Sequence, residues 1–569
     1  MRGSSVLSRL WLLYGIIFLV AVVFIAKLFI VQVVHGEEYN SKVDRQYIVS
    51  GTGVFDRGTV YFTQKNGDRV SVATLKSGYI VAINPSIINA SDVFSKLSKL
   101  LQLDSNTFFI KASKKNDPYE EIARRIDKDT IKKIKEFNLK GVIISRENWR
   151  FYPGEDMAAS LLGFVGYRGN DLVGRYGLER YYNDILSRDK QDLYVNFFTE
   201  VFSNIGETVF KGEKREGDIV TSIDLSVQEV LEDELKRVIK KWDSESVGGI
   251  IINPKTGEIF GMANFPTFNP NTFNKVKDPS LFSNPNVESV FEMGSIMKPL
   301  TMASGIDAGV VNSDTTYDDK GFLIVDGSRI ENYDGRGRGV VPMQEVLNQS
   351  LNTGAAFVMK KLGKERFRKY MLSLGLGEET GVDLPNEVGG LVDNLNSPRD
   401  VEYVTASFGQ GVAVTPIAMT RALSSLANKG KLVTPHVVRE IDYKLGPSRE
   451  IVYSGGERVF KESTTEEVAR MLVEVVDKAL MGGTVKLPHY SIAAKTGTAQ
   501  IARPDGGGYY KDRYLHSFFG FFPAYNPKFL VFLYTIHPKG VRYASHTLTQ
   551  PFMNITKFLI NYYEIPPDR

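Results

Sequence analysis

The sequence predicts an α+β protein in which one N-terminal membrane span precedes two further domains. Three observations predict it: an uncharged apolar run near the start, a stretch where short β-like segments alternate with polar helical ones, and a change of texture near Ile219, where a strand leads into a long amphipathic helix. The chain has 569 residues, 43% hydrophobic and 24% charged. That composition is globular, and the length suits about three or four folding units.

The span comes first. Leu10–Ala26 (LWLLYGIIFLVAVVFIA) carries no charge and continues past Lys27 into LFIVQVV, so residues 10–34 form the expected transmembrane anchor. About 20 apolar residues cross a bilayer, and a lysine near a helix end extends its ammonium to the interface. Arg2 and Arg9 precede the run and Glu37 and Glu38 follow it. This asymmetry places residues 1–9 in the cytoplasm and the rest of the chain outside, as a single-pass protein of the cytoplasmic membrane. A cleaved signal peptide fits less well, because the run exceeds an h-region of about 7–15 residues and no A-x-A site follows.

Residues 40–215 make up the first expected domain. In it YIVAINP and GVIIS read as strands, and EEIARRIDKDTIKKIKEF reads as helical. Ser113–Asp117 (SKKND) and Lys211–Asp218 (KGEKREGD) read as solvated loops, the second as a domain boundary. The second domain covers residues 219–569. Its opening, IVTSIDLSVQEVLEDELKRVIKKW, is a strand followed by a helix, and GGIIINPKTGEIFGMANF is a hairpin that turns at Pro254-Lys255-Thr256-Gly257.

Bulk chemistry excludes more than it selects. With 70 basic and 66 acidic residues the formal charge is +4, too even a balance for a nucleic-acid partner. The chain has no cysteine, which excludes disulfides, thiolate metal sites and a cysteine nucleophile. Its six histidines (His35, His436, His489, His516, His537, His546) form no metal-ligand spacing, and no G-x-S-x-G elbow occurs. Neither a metal nor another cofactor is expected.

Three short motifs carry the chemistry: Ser295-Ile296-Met297-Lys298, Ser350-Leu351-Asn352 and Lys495-Thr496-Gly497-Thr498. Singly they are weak. S-x-x-K recurs at Ser187–Lys190 and K-T-G at Lys255–Gly257, where a helix end and a hairpin turn are the plainer readings. Order and context separate the three: Gly294 precedes Ser295 where a helix can begin, SLNTGAAFVMKKL opens a helical segment, and SIAAKTGTAQIA has the alternation of a strand.

Residues i and i+3 share a helix face, so Lys298 is placed beside Ser295 as the base that a serine nucleophile requires. A lysine serves only if burial or a second cation lowers its pKa from about 10.4 toward neutrality. Lys495 can be that cation, Ser350 can relay the proton, and Asn352 can orient Lys298 and a substrate carbonyl. Lys495 with the Thr496 and Thr498 hydroxyls, on an edge strand, suits a carboxylate such as a peptide C-terminus. Backbone N–H groups of Ser295 and Thr498 are the natural oxyanion donors.

Longer segments agree with one family. GTGVFDRGTVYF (Gly51–Phe62), RFYPGEDMAASLLGFVG (Arg150–Gly166), GRYGLERYYNDIL (Gly174–Leu186), SIDLSVQ, INPKTGEIFGMANFP, FEMGSIMKP and ASFGQGVAVTPIAM (Ala406–Met419) occur in the expected order. Over nearly its whole length the sequence resembles the class B penicillin-binding proteins. The resemblance implies a pedestal domain and a β-lactamase-like transpeptidase domain, an antiparallel sheet flanked by helices with Ser295 at the start of a buried helix. It also implies acylation of Ser295 by peptidoglycan stem peptides and by β-lactams, with Lys298, Ser350, Asn352 and Lys495 catalytic and Thr496, Gly497 and Thr498 substrate-binding.

The implied partners are stem peptides on lipid-linked glycan strands, a polytopic glycosyltransferase of the FtsW/RodA kind, and other divisome proteins. An FtsI-like septal role is expected, with an elongation-specific transpeptidase or a division scaffold as alternatives. Met293, Asn253 and Ala494 depart from the proline, aspartate and glycine common in the family. Gly506–Tyr510 resembles the loop that borders its cleft.

Overall fold

The structure, a computed structural model, describes residues 55–188, 216–444 and 446–569. The expected anchor at residues 10–34, the N-terminal segment before it, and residues 211–215 of the expected boundary lie outside the described residues. Among the described residues no helix is long and apolar enough to cross a membrane.

The chain divides into two compact units. The smaller contains Lys76–Trp149, and the larger contains Arg57–Leu75, Arg150–Arg188 and the described chain from residue 216 onward. In the smaller unit the second half of β1 (Arg69–Ile83) pairs antiparallel with β2 (Glu120–Ile126), Tyr79 lying opposite Ile126 and Ile83 opposite Glu120. A further strand, β3 (Val142–Phe151), runs out of this unit, whose core is Val81, Ile83, Val93, Leu97, Phe108, Ile131 and Ile134.

One segment departs from expectation here. EEIARRIDKDTIKKIKEF, expected to be helical throughout, divides into β2 and α1 (Lys128–Glu136). The Asp127 carboxylate accepts a hydrogen bond from the Thr130 N–H and so begins the helix at that point. Pairing with β1 takes the residues before it, and tertiary contact overrides their local propensity.

The larger unit is built around a five-stranded antiparallel sheet. From β4 (Gly217–Asp224) the chain enters α2 (Leu225–Trp242), where the Asp224 side chain accepts from the Ser226 and Val227 N–H groups. β5 (Ser246–Ile252) and β6 (Ile259–Phe265) form the expected hairpin, with Gly257 at φ +89° and Asn253 Oδ1 accepting from the Lys255 N–H at 3.0 Å. The K-T-G at Lys255–Gly257 is therefore turn chemistry. After α3 (Lys298–Asp307) and α4 (Asn352–Leu362) come β7 (Ala493–Ala502), β8 (Tyr509–Phe522), β9 (Phe529–Ile536) and α5 (Thr549–Tyr562). The strand order is β7-β8-β9-β5-β6, which leaves β7 at an edge.

Strand alternation sorts the sheet's two faces. Phe518, Phe522, Val531 and Leu533 pack with Val227, Leu231, Leu235 and Val238 of α2 and with Phe552, Ile555 and Leu559 of α5. Phe519, Phe521, Leu530 and Phe532 belong to the other core, with Ile296, Met297 and Leu300 around the start of α3. Each of these fully buried phenylalanines contributes about 1.5–3 kcal/mol of transfer free energy.

A buried charge cluster lies elsewhere in the same unit. Glu179 accepts from Arg57 Nε at 2.6 Å, from Arg150 Nε at 2.5 Å and from the Tyr152 hydroxyl at 3.2 Å. Arg150 also donates to the Gly58 carbonyl at 2.7 Å. Arg57 and Glu179 are 1% and 0% exposed, so water screens neither. Burial pushes the Glu179 carboxyl up, but Arg150 and Arg57 outweigh it and hold the group below the usual glutamate value. Ser187, of the second S-x-x-K, accepts from Arg57 here at 3.1 Å.

Candidate active site

Gly294, at φ +64°, opens a 3₁₀ turn (Gly294–Met297) that runs into α3, with Pro299 in the first helical turn. The turn presses directly on β7: a Cβ on Gly294 would lie 3.1 Å from the Thr498 carbonyl. The Gly294 N–H donates to the Gly409 carbonyl at 3.0 Å, and Ser517 on β8 donates to the Met293 carbonyl at 2.8 Å. A Cβ on Gly497 would fall 2.3 Å from Ser517 Oγ and 2.7 Å from the Met293 oxygen. Gly497→Ala must push the strand away from the serine turn. It is expected to slow the acylation of Ser295 that the resemblance implies about 100-fold, the effect of a displacement near 1 Å, measured as a second-order rate with a chromogenic β-lactam.

Lys298 is 1% exposed and Lys495 3%, whereas Ser295 is only half-buried. Ser350 joins the two lysines. The Lys298 amine donates to the Ser350 carbonyl at 2.5 Å and lies 3.1 Å from Ser350 Oγ, while Lys495 Nζ lies 3.0 Å from the same Oγ and donates to the Thr496 carbonyl at 3.0 Å. Ser350 stands at φ +55°, a left-handed conformation that turns both its oxygens to Lys298. Burial, with the Lys495 charge adding to it, drives the Lys298 amine well below the ordinary lysine value. Burial lowers Lys495 to about 7. Burial and the neighbouring charge thus favour the neutral form of Lys298, the form a base requires.

The expected constellation comes together, with two differences in detail. Lys298 hydrogen bonds to Ser350 rather than to Ser295 Oγ, because the left-handed backbone at Ser350 presents two oxygens to its amine. Asn352, the first residue of α4, donates to the Glu331 carbonyl at 2.8 Å rather than to Lys298. Thr496 and Thr498 alternate with the buried Lys495 and Gly497 and are half-buried. Thr498 Oγ1 accepts from the Ala544 N–H at 3.1 Å, which leaves its own O–H free to donate.

Sequence reasoning missed the supports. Glu292, three residues before Ser295, accepts at Oε1 from the Gly411 N–H and from the Tyr509 hydroxyl, both at 3.0 Å. Burial raises its carboxyl despite those bonds. Tyr509 lies in the Gly506–Tyr510 segment, which is thereby tied to the approach to the serine. Behind Asn352, buried Asp319 accepts from Asn332 Nδ2 and the Thr353 hydroxyl. These partners lie 13 to 217 positions apart, so no local spacing announces them.

Residues 247–557 match the penicillin binding protein transpeptidase domain family, and residues 56–197 match the penicillin-binding protein dimerisation domain family. The chain belongs to the penicillin-binding-protein transpeptidases.

Membership makes it an enzyme of the serine transpeptidase type. Stage V sporulation protein D of Bacillus subtilis is 32% identical over 97% of this chain and 85% of that protein. Peptidoglycan D,D-transpeptidase FtsI of Buchnera aphidicola is 26% identical over 98% and 95%. In fold, the chain matches penicillin binding protein 3 of Mycobacterium tuberculosis complexed with aztreonam, with a TM-score of 0.68 at 24% identity over 91% of this chain and 98% of that one.

The three departures from the family pattern are accommodated locally. Met293 is buried at φ −86° with its carbonyl bonded to Ser517. Asn253 supplies the turn acceptor that an aspartate would. Ala494 lies opposite Gly520, whose missing side chain leaves room for its methyl group.

Proposed function

We propose that this chain is a membrane-anchored peptidoglycan D,D-transpeptidase that cross-links stem peptides at the division septum. The observation that carries the chemistry is the buried Lys298–Ser350–Lys495 cluster beside a half-exposed serine at a helix start. Lys298, neutral, takes the Ser295 proton as Oγ adds to the carbonyl carbon of the penultimate D-Ala. Ser350 passes protons along the cluster. The Ser295 and Thr498 N–H groups receive the developing oxyanion, and Lys495, Thr496 and Thr498 hold the terminal carboxylate across Gly497. The C–N bond breaks, the leaving D-Ala takes the proton, and an ester joins the donor to Ser295. An acceptor amine then attacks that ester, forms the new amide and returns the proton to Ser295 Oγ. Asn352 orients the donor from the opposite wall.

A β-lactam acylates the same oxygen by opening its ring. The full-length chain in detergent is accordingly expected to label with a fluorescent penicillin and Ser295→Ala is not; label on the variant would refute the assignment.

Residues 10–34 serve as the anchor and 1–9 remain cytoplasmic, with a pedestal over 40–215 and the transpeptidase domain over 219–569 outside. The proposed partners are lipid-linked glycan strands, divisome proteins and the polytopic glycosyltransferase that polymerises the strands. Depletion is expected to give filaments; round cells would move the protein to elongation, and full rescue by Ser295→Ala would make it a scaffold.

A further inference from the structure

His516 is fully buried on β8, directly opposite Thr498 of β7, and the reaction above does not use it. Opposed residues of an antiparallel pair share a sheet face, so the ring and the threonine side chain stand together. Both ring nitrogens are bonded to one short segment, part of the connection that leads from β9 into α5. Nε2 lies 3.0 Å from the Arg542 carbonyl, and Nδ1 lies 3.0 Å from Thr547 Oγ1. Ala544 sits between those two ties, buried, and its N–H donates to Thr498 Oγ1 at 3.1 Å.

Chemistry assigns the protons. Burial lowers the imidazole to about 4, so at neutral pH the ring carries one N–H and one lone pair. A carbonyl only accepts, which puts the proton on Nε2 and leaves Nδ1 to accept from the Thr547 hydroxyl. The Thr547 proton is available for this, because the Ala544 carbonyl 3.1 Å away already accepts from the Leu548 N–H at 3.0 Å. Lys539, Gly540 and Arg542, on the approach to Ala544, are exposed. The buried bond at the Arg542 carbonyl thus fixes where that approach meets the sheet.

We propose that His516 is a positioning residue for carboxylate recognition, whose two bonds hold residues 542–547 where the Ala544 N–H meets Thr498 Oγ1. That N–H occupies a lone pair of the threonine oxygen and leaves the Thr498 O–H to donate to the carboxylate beside Lys495. The inference rests on the transpeptidase reading, in which Lys495, Thr496 and Thr498 hold the terminal carboxylate of the donor. Without the imidazole the segment loses its ties at two points, Thr498 Oγ1 loses its donor, and the hydroxyl proton is no longer directed to the ligand. Both ring nitrogens are committed to residues 542 and 547, away from Lys298 and Ser350. The loss therefore falls on binding of the carboxylate and not on the acylation step.

The test compares acylation of the full chain in detergent by benzylpenicillin and by its methyl ester, which lacks the carboxylate charge. The efficiency for the acid divided by that for the ester is expected to fall about tenfold in His516→Phe, the worth of one hydrogen bond to a charged group. The fall should lie in binding before acylation, with the first-order acylation rate kept. His516→Gln, which can place an N–H donor where Nε2 stands, should recover the ratio to within about threefold. Adding His516→Phe to Thr498→Val should lower the ratio no further, because both remove the same contact. A ratio unchanged in His516→Phe, or losses that multiply with Thr498→Val, would overturn the positioning role while leaving the enzyme reading intact. An unaltered chain that acylates equally with acid and ester would overturn the carboxylate reading, and one that acylates with neither would overturn the enzyme reading as well. If His516→Phe does not fold, Thr547→Val decides alone. It keeps the shape, removes the partner of Nδ1 and should lower the ratio about threefold, and an unchanged ratio there would overturn the proposal.

Discussion

Lys298→Ala is expected to slow acylation of Ser295 by benzylpenicillin about 10²–10⁴-fold, the range of a positioned general base. The change removes the amine that bonds to both oxygens of Ser350, so the serine proton loses its acceptor and the relay loses its first member. Binding of the β-lactam should change little if its carboxylate is held, as proposed, by Lys495 and the two threonines; the loss then appears in the acylation step, resolved by stopped-flow. Equal losses in binding and acylation would place Lys298 in substrate recognition instead.

The two lysines also set a pH profile. Lys495 sits at about 7, so in the free protein its cation, and with it affinity for a carboxylate, declines as pH rises through that value. A bound carboxylate favours the charged form and raises that pKa. The alkaline limb is expected near 7 at low β-lactam concentration and at higher pH under saturation. The stability term has a definite sign. Because the Lys298 pKa is depressed on folding, the unfolded chain binds more protons below about 10.4 and stability declines as pH falls from there. Lys298→Met should consequently resist urea better than the natural chain at pH 7 while acylating far more slowly, and the advantage should shrink as pH approaches 10.

Glu179→Ala is the second large effect, a destabilisation of about 3–5 kcal/mol, read by urea unfolding. The loss is large because two buried guanidinium groups, Arg57 and Arg150, would keep their positive charge with no carboxylate between them. Arg150→Ala is expected to cost a comparable amount, since Glu179 would keep only Arg57. Replacing all three with apolar residues of similar volume should be milder than either single change. Glu179 has a lowered folded pKa, so its contribution is present above the unfolded value of about 4.3 and disappears as pH falls through the folded value. An acid transition unmoved in Glu179→Gln would refute that assignment.

The side chains of the candidate site were legible because they follow one another at short spacings. Lys298 follows Ser295 by three positions, and Lys495 to Thr498 are consecutive on one strand. The β5–β6 hairpin and the start of α2 were legible for the same reason: Asn253, Gly257 and Asp224 act on backbone within three residues of themselves. EEIARRI was misread because its fate depended on β1, about 40 residues earlier, and a charged, helix-favouring composition hid that pairing. Glu292, Tyr509, Asn332 and the bonds of His516 were invisible for a related reason, since each acquires its partner only when distant segments converge.

The alternation along β8 has a consequence for how such a chain can diverge. Ser517 and Phe519 point toward the serine turn, and Phe518 points into the layer made by α2 and α5. Deleting one residue from this strand would exchange the two sets, putting an aromatic ring where Ser517 bonds Met293 and a hydroxyl into a dry core. Point changes such as those at Met293 and Ala494 are absorbed by a neighbour, but a change of length here is not. What this strand has to keep is thus a parity, the odd or even count of residues between the serine turn's anchor and the layer behind the sheet.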